Sequence, residues 1–368
     1  MARQFAHAHR NPLSGDKSMT RIPRILSLCL APLCALLISP PALAQAPTPI
    51  KVSYQIAYWA LPIYIATEKN WWAEAGLKPE FVVYPAGAQQ IAGAASKSWD
   101  VGGTGSPPAV LGAQRYGILT LGITNDESTA NGVMARKDNA AAVRSNAAKE
   151  VKGKQILLSP NSTGEYATMA CLKKWGMQRS DVSIVTLAPA QLVSAFTGGN
   201  GMLAGTWAPN FYTLNDQTGA EVVCSGKDAG VMIPGALVAR GEFAKQNPEA
   251  VSKFLAVYLR AISFEKNNKA EAMAYLRKLF DANGIKLNDG YLEQELARPI
   301  FTLEEQLKLM SRANGKSSLD QAYESLSAYL KGVGTLTEVP DPKTYISDDY
   351  MKRVDQTPAL KAFANNAN

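Results

Sequence analysis

Two stretches carry groups that could do chemistry. In VGGTGSPPAVLGAQ, Val101–Gln114, a glycine-rich strand end runs through Gly105, Ser106, Pro107 and Pro108 into an alanine-rich helix pattern. In LLSPNSTGEYATMA, Leu157–Ala170, an apolar run passes through Ser162 and Thr163 into another helix pattern. The two starts are alike in design. A helix start leaves N–H groups without intrahelical partners and carries the positive end of the macrodipole. Hydroxyls at the cap add donors without adding a counter-charge. This arrangement suits a small anion or the anionic end of a zwitterion. Gly105 would let a ligand approach the backbone, and Ser106 would donate a hydrogen bond. The plainer reading of the glycines is a tight strand–helix turn.

The same residues argue against nucleotide chemistry. A Walker loop needs a lysine that this sequence lacks, and a dinucleotide fingerprint needs a third glycine where Pro108 stands. Other catalytic sets are limited by composition. The chain has 368 residues, and its two histidines, His7 and His9, lie near the start. From Arg21 it reads RIPRILSLCLAPLCALLISPPALAQA. Two arginines, a short apolar run and Ala42-Leu43-Ala44 make a secretory signal peptide, with cleavage expected after Ala44. Leucine before Cys29 and Cys34 argues against a lipid anchor. The first 18 residues form an extension, and Met19 would be the more usual start.

Residues 45–368 then hold no histidine and two cysteines, Cys171 and Cys224. No Ser-His-Asp or Cys-His relay can form, and no four-thiolate metal site. No metal, cofactor or catalytic residue is expected. The cysteines could pair after export or remain buried thiols, because pairing depends on a separation that spacing does not give. The leader removes five basic residues and one acid from totals of 38 and 31, leaving 33 and 30. A net charge of about +3 gives no support to nucleic-acid binding.

The elements that must position the two starts alternate. Strand patterns at IKVSYQIA, KPEFVVYP, DVGGTG and ILTLGIT are interleaved with helix patterns, including a single one over LPIYIATEKNWWAEAGL that stops at Gly76. A second series begins at KGKQILLSP. After Phe243 the chain turns helical, with amphipathic patterns in NPEAVSKFLAVYLRAISFEKNN and KAEAMAYLRKLFDANG. This order predicts an α/β fold with mostly parallel sheets. NGVMARKD, Asn131–Asp138, and GALVARGE, Gly235–Glu242, echo one another and flank the second series. We read them as crossing strands. Lobe 1 would then comprise 46–134 plus 235–368, and lobe 2 would comprise 135–234. Two helix starts at strand carboxyl ends, one per lobe, would face a shared cleft.

These runs, with DVSIVTLAPAQLVSAFTGG and TWAP, resemble the periplasmic solute-binding proteins of ABC importers for sulfonates, taurine and nitrate. The resemblance covers nearly all of 50–265 in order, and is nearest to taurine- and alkanesulfonate-binding members. It implies a two-lobed, type II binding-protein fold that closes on a small organic oxyanion. The partners it implies are a membrane permease and an ATPase, with the protein itself periplasmic and monomeric. Carried over to this sequence, the contacts are Tyr58, Trp59, Gly105, Ser106, Pro107, Ser162, Thr163, Trp207 and Asn210. The hydroxyls would hold the oxyanion, and the aromatics would wall the apolar part. Trp71 and Trp72 read as packing residues.

GGNGMLAG, Gly198–Gly205, lacks the acid that many relatives carry there. Glu127 could serve a ligand amine instead, or be a solvated loop acid. Glu165 is a further candidate, or ordinary first-turn chemistry. Nitrate, carboxylate and pyrimidine-type ligands remain alternatives, as does a ligand sensor. An enzyme on this fold is disfavoured, because the fungal thiamin-pyrimidine synthases it would resemble depend on histidine and a cysteine-rich motif.

Overall fold

The computed structural model describes residues 46–368. The leader, its cleavage point and Met19 lie outside the described residues. Ten strands form two sheets. They are β1 Thr48–Tyr54, β2 Leu77–Val83, β3 Val101–Gly105, β4 Ile118–Asp126, β5 Asn131–Ala135, β6 Gln155–Leu158, β7 Ser183–Thr186, β8 Leu203–Trp207, β9 Glu221–Ser225 and β10 Pro234–Arg240. The first sheet has the order β2-β1-β3-β10-β4, and the second β7-β6-β8-β5-β9. In each sheet one strand runs against the other four: β10 in the first and β5 in the second. These two are the echoed segments. The strand Asn131–Ala135, grouped from sequence mostly with lobe 1, hydrogen-bonds in the second sheet, so the chain passes between sheets before Asn131.

The helices between strands are α1 Leu61–Glu68, α2 Trp71–Glu74, α3 Gly87–Gly93, α4 Ser106–Tyr116, α5 Lys137–Val151, α6 Thr163–Lys174, α7 Pro189–Thr197 and α8 Asn210–Thr218. After β10 come α9 Gly241–Gln246, α10 Pro248–Asn267, α11 Lys269–Ala282, α12 Asp289–Leu296, α13 Leu303–Met310, α14 Ser318–Gly332, α15 Asp349–Gln356 and α16 Pro358–Ala364. Two sequence readings are corrected here. The single helix expected up to Gly76 breaks into α1 and α2 at Asn70, whose φ of 58° is left-handed. The pattern of α10 reads as amphipathic, yet it is buried on nearly every face from Ala250 to Glu265. It lies against α1, α11, α15 and α16, so its polar side also faces protein.

Close packing explains some glycines of β3. A Cβ on Gly102 would lie 2.0 Å from the Ser53 carbonyl oxygen, so this strand can sit beside β1 only without a side chain there. Trp72 stacks on Phe254 with ring centres 6.2 Å apart, and Trp71 meets Phe264 edge-on, as packing residues do. The open cysteine question is answered as well. Cys171 on α6 and Cys224 on β9 are disulfide-bonded, with Cα atoms 6.0 Å apart.

Candidate functional site

A cleft of about 520 Å³ is lined by strand carboxyl ends from both sheets. Gln55 and Ile56 follow β1, Val83 ends β2 with Tyr84 and Pro85 after it, and Gly105 ends β3. Ser159 to Thr163 follow β6, Thr186 ends β7 and leads through Leu187 and Ala188 to Pro189 of α7, and Trp207 ends β8 ahead of Pro209 and Asn210. Parallel strands bring their carboxyl ends to one edge, and the turn into each helix rises from that edge.

Local chemistry fixes each turn. Gly105 is extended before α4, and the prolines occupy a first turn whose N–H groups would be unpaired anyway. Ser162 caps α6, its Oγ accepting from the Glu165 amide at 3.1 Å and donating to the Ser159 carbonyl at 2.7 Å. Asn161 before it is left-handed, with φ of 57°, a conformation asparagine tolerates better than most residues. The jaws meet closely: a Cβ on Gly105 would stand 3.0 Å from Thr163 Cγ2.

Among the described residues, no charged side chain lines the cleft. The starts of α3, α4, α6, α7 and α8 all open at it. The first turns of α4, α7 and α8 carry no acid. Each helix start acts as roughly +0.5 of an elementary charge. The cleft is therefore electropositive without a lysine or arginine. Trp59 Nε1 and Ser106 Oγ are buried and have no partner among the described residues. A buried donor left so costs about 1–3 kcal/mol, and an acceptor in the cleft would relieve that cost for Trp59, which lines it.

The residues singled out from sequence divide into two groups. Trp59, Gly105, Ser162, Thr163, Trp207 and Asn210 line the cleft together. Ser106 and Pro107 sit behind its surface, and Pro108 is the proline that faces it. Tyr58 and Glu127 are not there. Tyr58 is turned inward, its hydroxyl donating to Glu265 Oε2 on α10 at 3.0 Å. Glu127 is buried and takes both its oxygens to the Arg298 guanidinium at 3.1 and 3.2 Å. It is therefore not a solvated loop acid, and it does not line the cleft. Glu165 is also engaged, with Arg179 at 3.0 Å and the Asn161 amide at 2.7 Å.

The inward network is extensive. Arg298 also pairs with Glu295, whose Oε1 accepts from Tyr212 of α8 at 2.6 Å, tying a helix of the second sheet to α12. Burial opposes the charge on Arg298, but Glu295 and Glu127 outweigh it and raise its pKa. Burial pushes the Glu265 carboxyl up to about 8, against the lowering pull of the Tyr58 hydrogen bond. The Tyr258 hydroxyl donates to the Trp59 carbonyl at 3.1 Å, so α10 holds the turn that presents Trp59. Sequence reasoning missed these supports, and also Gln55, Tyr84 and Leu187 on the lining. Strand-end position alone would have flagged those three. Ile285, from the loop after α11, carries no such signal.

The family model described as NMT1/THI5 like matches residues 59–272. A Brucella abortus (strain 2308) protein named only as a binding protein is 27% identical over 306 residues, covering 82% of this chain and 91% of that one. The taurine-binding periplasmic protein of Escherichia coli K12 is 27% identical over 210 residues, or 56% and 62% of the two chains. Among solved structures, the alkanesulfonate-binding protein SsuA from Xanthomonas axonopodis pv. citri, bound to MOPS, superposes with a TM-score of 0.66 at 19% identity. That match covers 83% of this chain and 99% of the other, so the two share the two-lobed binding-protein fold.

Proposed function

The chain belongs to the NMT1/THI5-like family, and from that premise we propose that it is the solute-binding component of an ABC importer. It works in the periplasm as a monomer, takes a small organic oxyanion of the sulfonate type into the interlobe cleft, and delivers it to a membrane permease and its ATPase. The lobes are the two stretches around each sheet, 46–134 plus 235–368 and 135–234, with β5 moved to the second. The observation that carries the reading is the cleft itself: five helix starts open into a lining without charged side chains among the described residues. An anion gains there from dipoles and N–H donors, and meets no carboxylate. Contacts from both lobes favour the closed form once ligand is bound, because an open form would keep only one set.

Trp59, Gly105, Ser162, Thr163, Trp207 and Asn210 are the contacts we assign. The relatives' names support the ligand class, since one is a taurine-binding protein and a structural neighbour is an alkanesulfonate-binding protein. The reading makes the protein a carrier. Its two cysteines outside the leader are joined, which leaves no thiolate for nucleophilic chemistry. Thermal shift with taurine, alkane- and arenesulfonates, nitrate, carboxylates and pyrimidines tests it. Stabilisation by sulfonates is expected. A panel in which no oxyanion raises the melting temperature would refute the proposal.

A further inference from the structure

Resting on that reading, we infer that the ligand is an organic anion with an uncharged apolar body longer than two carbons, and that zwitterions such as aminosulfonates are rejected. Three observations carry this. The first is the wall. Beside the helix starts, the cleft lining includes Ile56, Tyr84, Pro85, Leu187, Trp207 and Ile285, which offer an organic tail apolar and aromatic surface.

The second is charge. An ammonium group closed into this cleft would meet no carboxylate among the described residues. The two acids nearest to serving it in sequence terms are both committed. Glu127 is buried against Arg298, and Glu165 is held by Arg179 and by the Asn161 amide. The helix starts add positive potential, which repels a cation further. Stripping an ammonium of water without a counter-charge or full hydrogen bonding costs binding roughly 100-fold or more.

The third is size. A two-carbon sulfonate has six heavy atoms. At roughly 30 Å³ each, the share of a water molecule in the liquid, it fills well under half of a cleft of about 520 Å³. Each further buried methylene should then tighten binding about fourfold until the space is filled.

The test is calorimetry on the protein with taurine and propane-1-sulfonate, which differ by ammonium against methyl at nearly equal size, and with the series from ethane- to hexane-1-sulfonate. Propane-1-sulfonate should bind more tightly than taurine by roughly 100-fold or more, and affinity should climb along the series. Taurine binding as well as propane-1-sulfonate would overturn the charge argument. A flat or falling series would overturn the size argument. Failure of every sulfonate to bind would instead refute the proposed function on which the inference rests.

Discussion

Replacing Glu265 with glutamine tests whether a buried acid is held neutral behind the cleft. The carboxyl lies on α10 and is 3% exposed. Its Oε2 accepts from Tyr58, and its Oε1 has no partner among the described residues. Burial raises its pKa from the ordinary 4.5 to about 8. The folded chain therefore keeps a proton that the unfolded chain releases above pH 4.5. Stability from this group is complete below pH 4.5 and drains away as pH rises towards 8, at about 1.4 kcal/mol per pH unit. At pH 7 the loss is roughly 3 kcal/mol. Glu265→Gln keeps the shape and an oxygen for Tyr58 but cannot ionise. Urea unfolding of both proteins between pH 4.5 and 8 gives the difference curve, in which all other carboxyl groups cancel. The variant should gain on the wild type steadily across the window, by roughly 3 kcal/mol at pH 7 relative to pH 4.5. A difference that does not change with pH would mean that Glu265 titrates alike in both states, and the argument from burial would fail.

Three further outcomes are expected. Arg298→Met leaves Glu127 and Glu295 buried without their cation, and should cost roughly 3–5 kcal/mol in urea unfolding; a loss near zero would deny the network a structural role. Gly105→Ala sets a methyl 3.0 Å from Thr163 Cγ2 across the cleft. It should weaken sulfonate binding with little change in the melting temperature of the free protein, and unchanged affinity would mean that the jaws need not meet there. Reducing the Cys171–Cys224 bond, which closes a separation of 53 residues, should lower stability by roughly 4 kcal/mol; equal unfolding midpoints with and without reductant would contradict this.

The helix starts at Ser106 and Thr163 were legible because a strand–turn–helix junction is local. Gly105, the prolines and the Ser162 cap act within a few residues of their own position. The antiparallel roles of Asn131–Ala135 and Pro234–Arg240 were half legible. Their echo marked them as a pair, but only hydrogen bonding assigned each to its sheet. The inward orientation of Tyr58 and Glu127 was not legible, for one reason. An aromatic in a turn and an acid after a strand suit a ligand site or a core equally well, and local sequence does not weigh the two.

By itself, then, the sequence determined the alternation of strands and helices, the absence of histidine chemistry from residues 45–368, and the two helix starts that can receive an anion. All of these depend on residue type and near neighbours. The tertiary structure alone decided which side chains face the cleft and which face each other. Tyr58 meets Glu265 across 207 residues, and Glu127 meets Arg298 across 171. A buried polar or charged group needs a partner wherever the chain can bring one, and only close packing of α10 and the segment after α12 brings these.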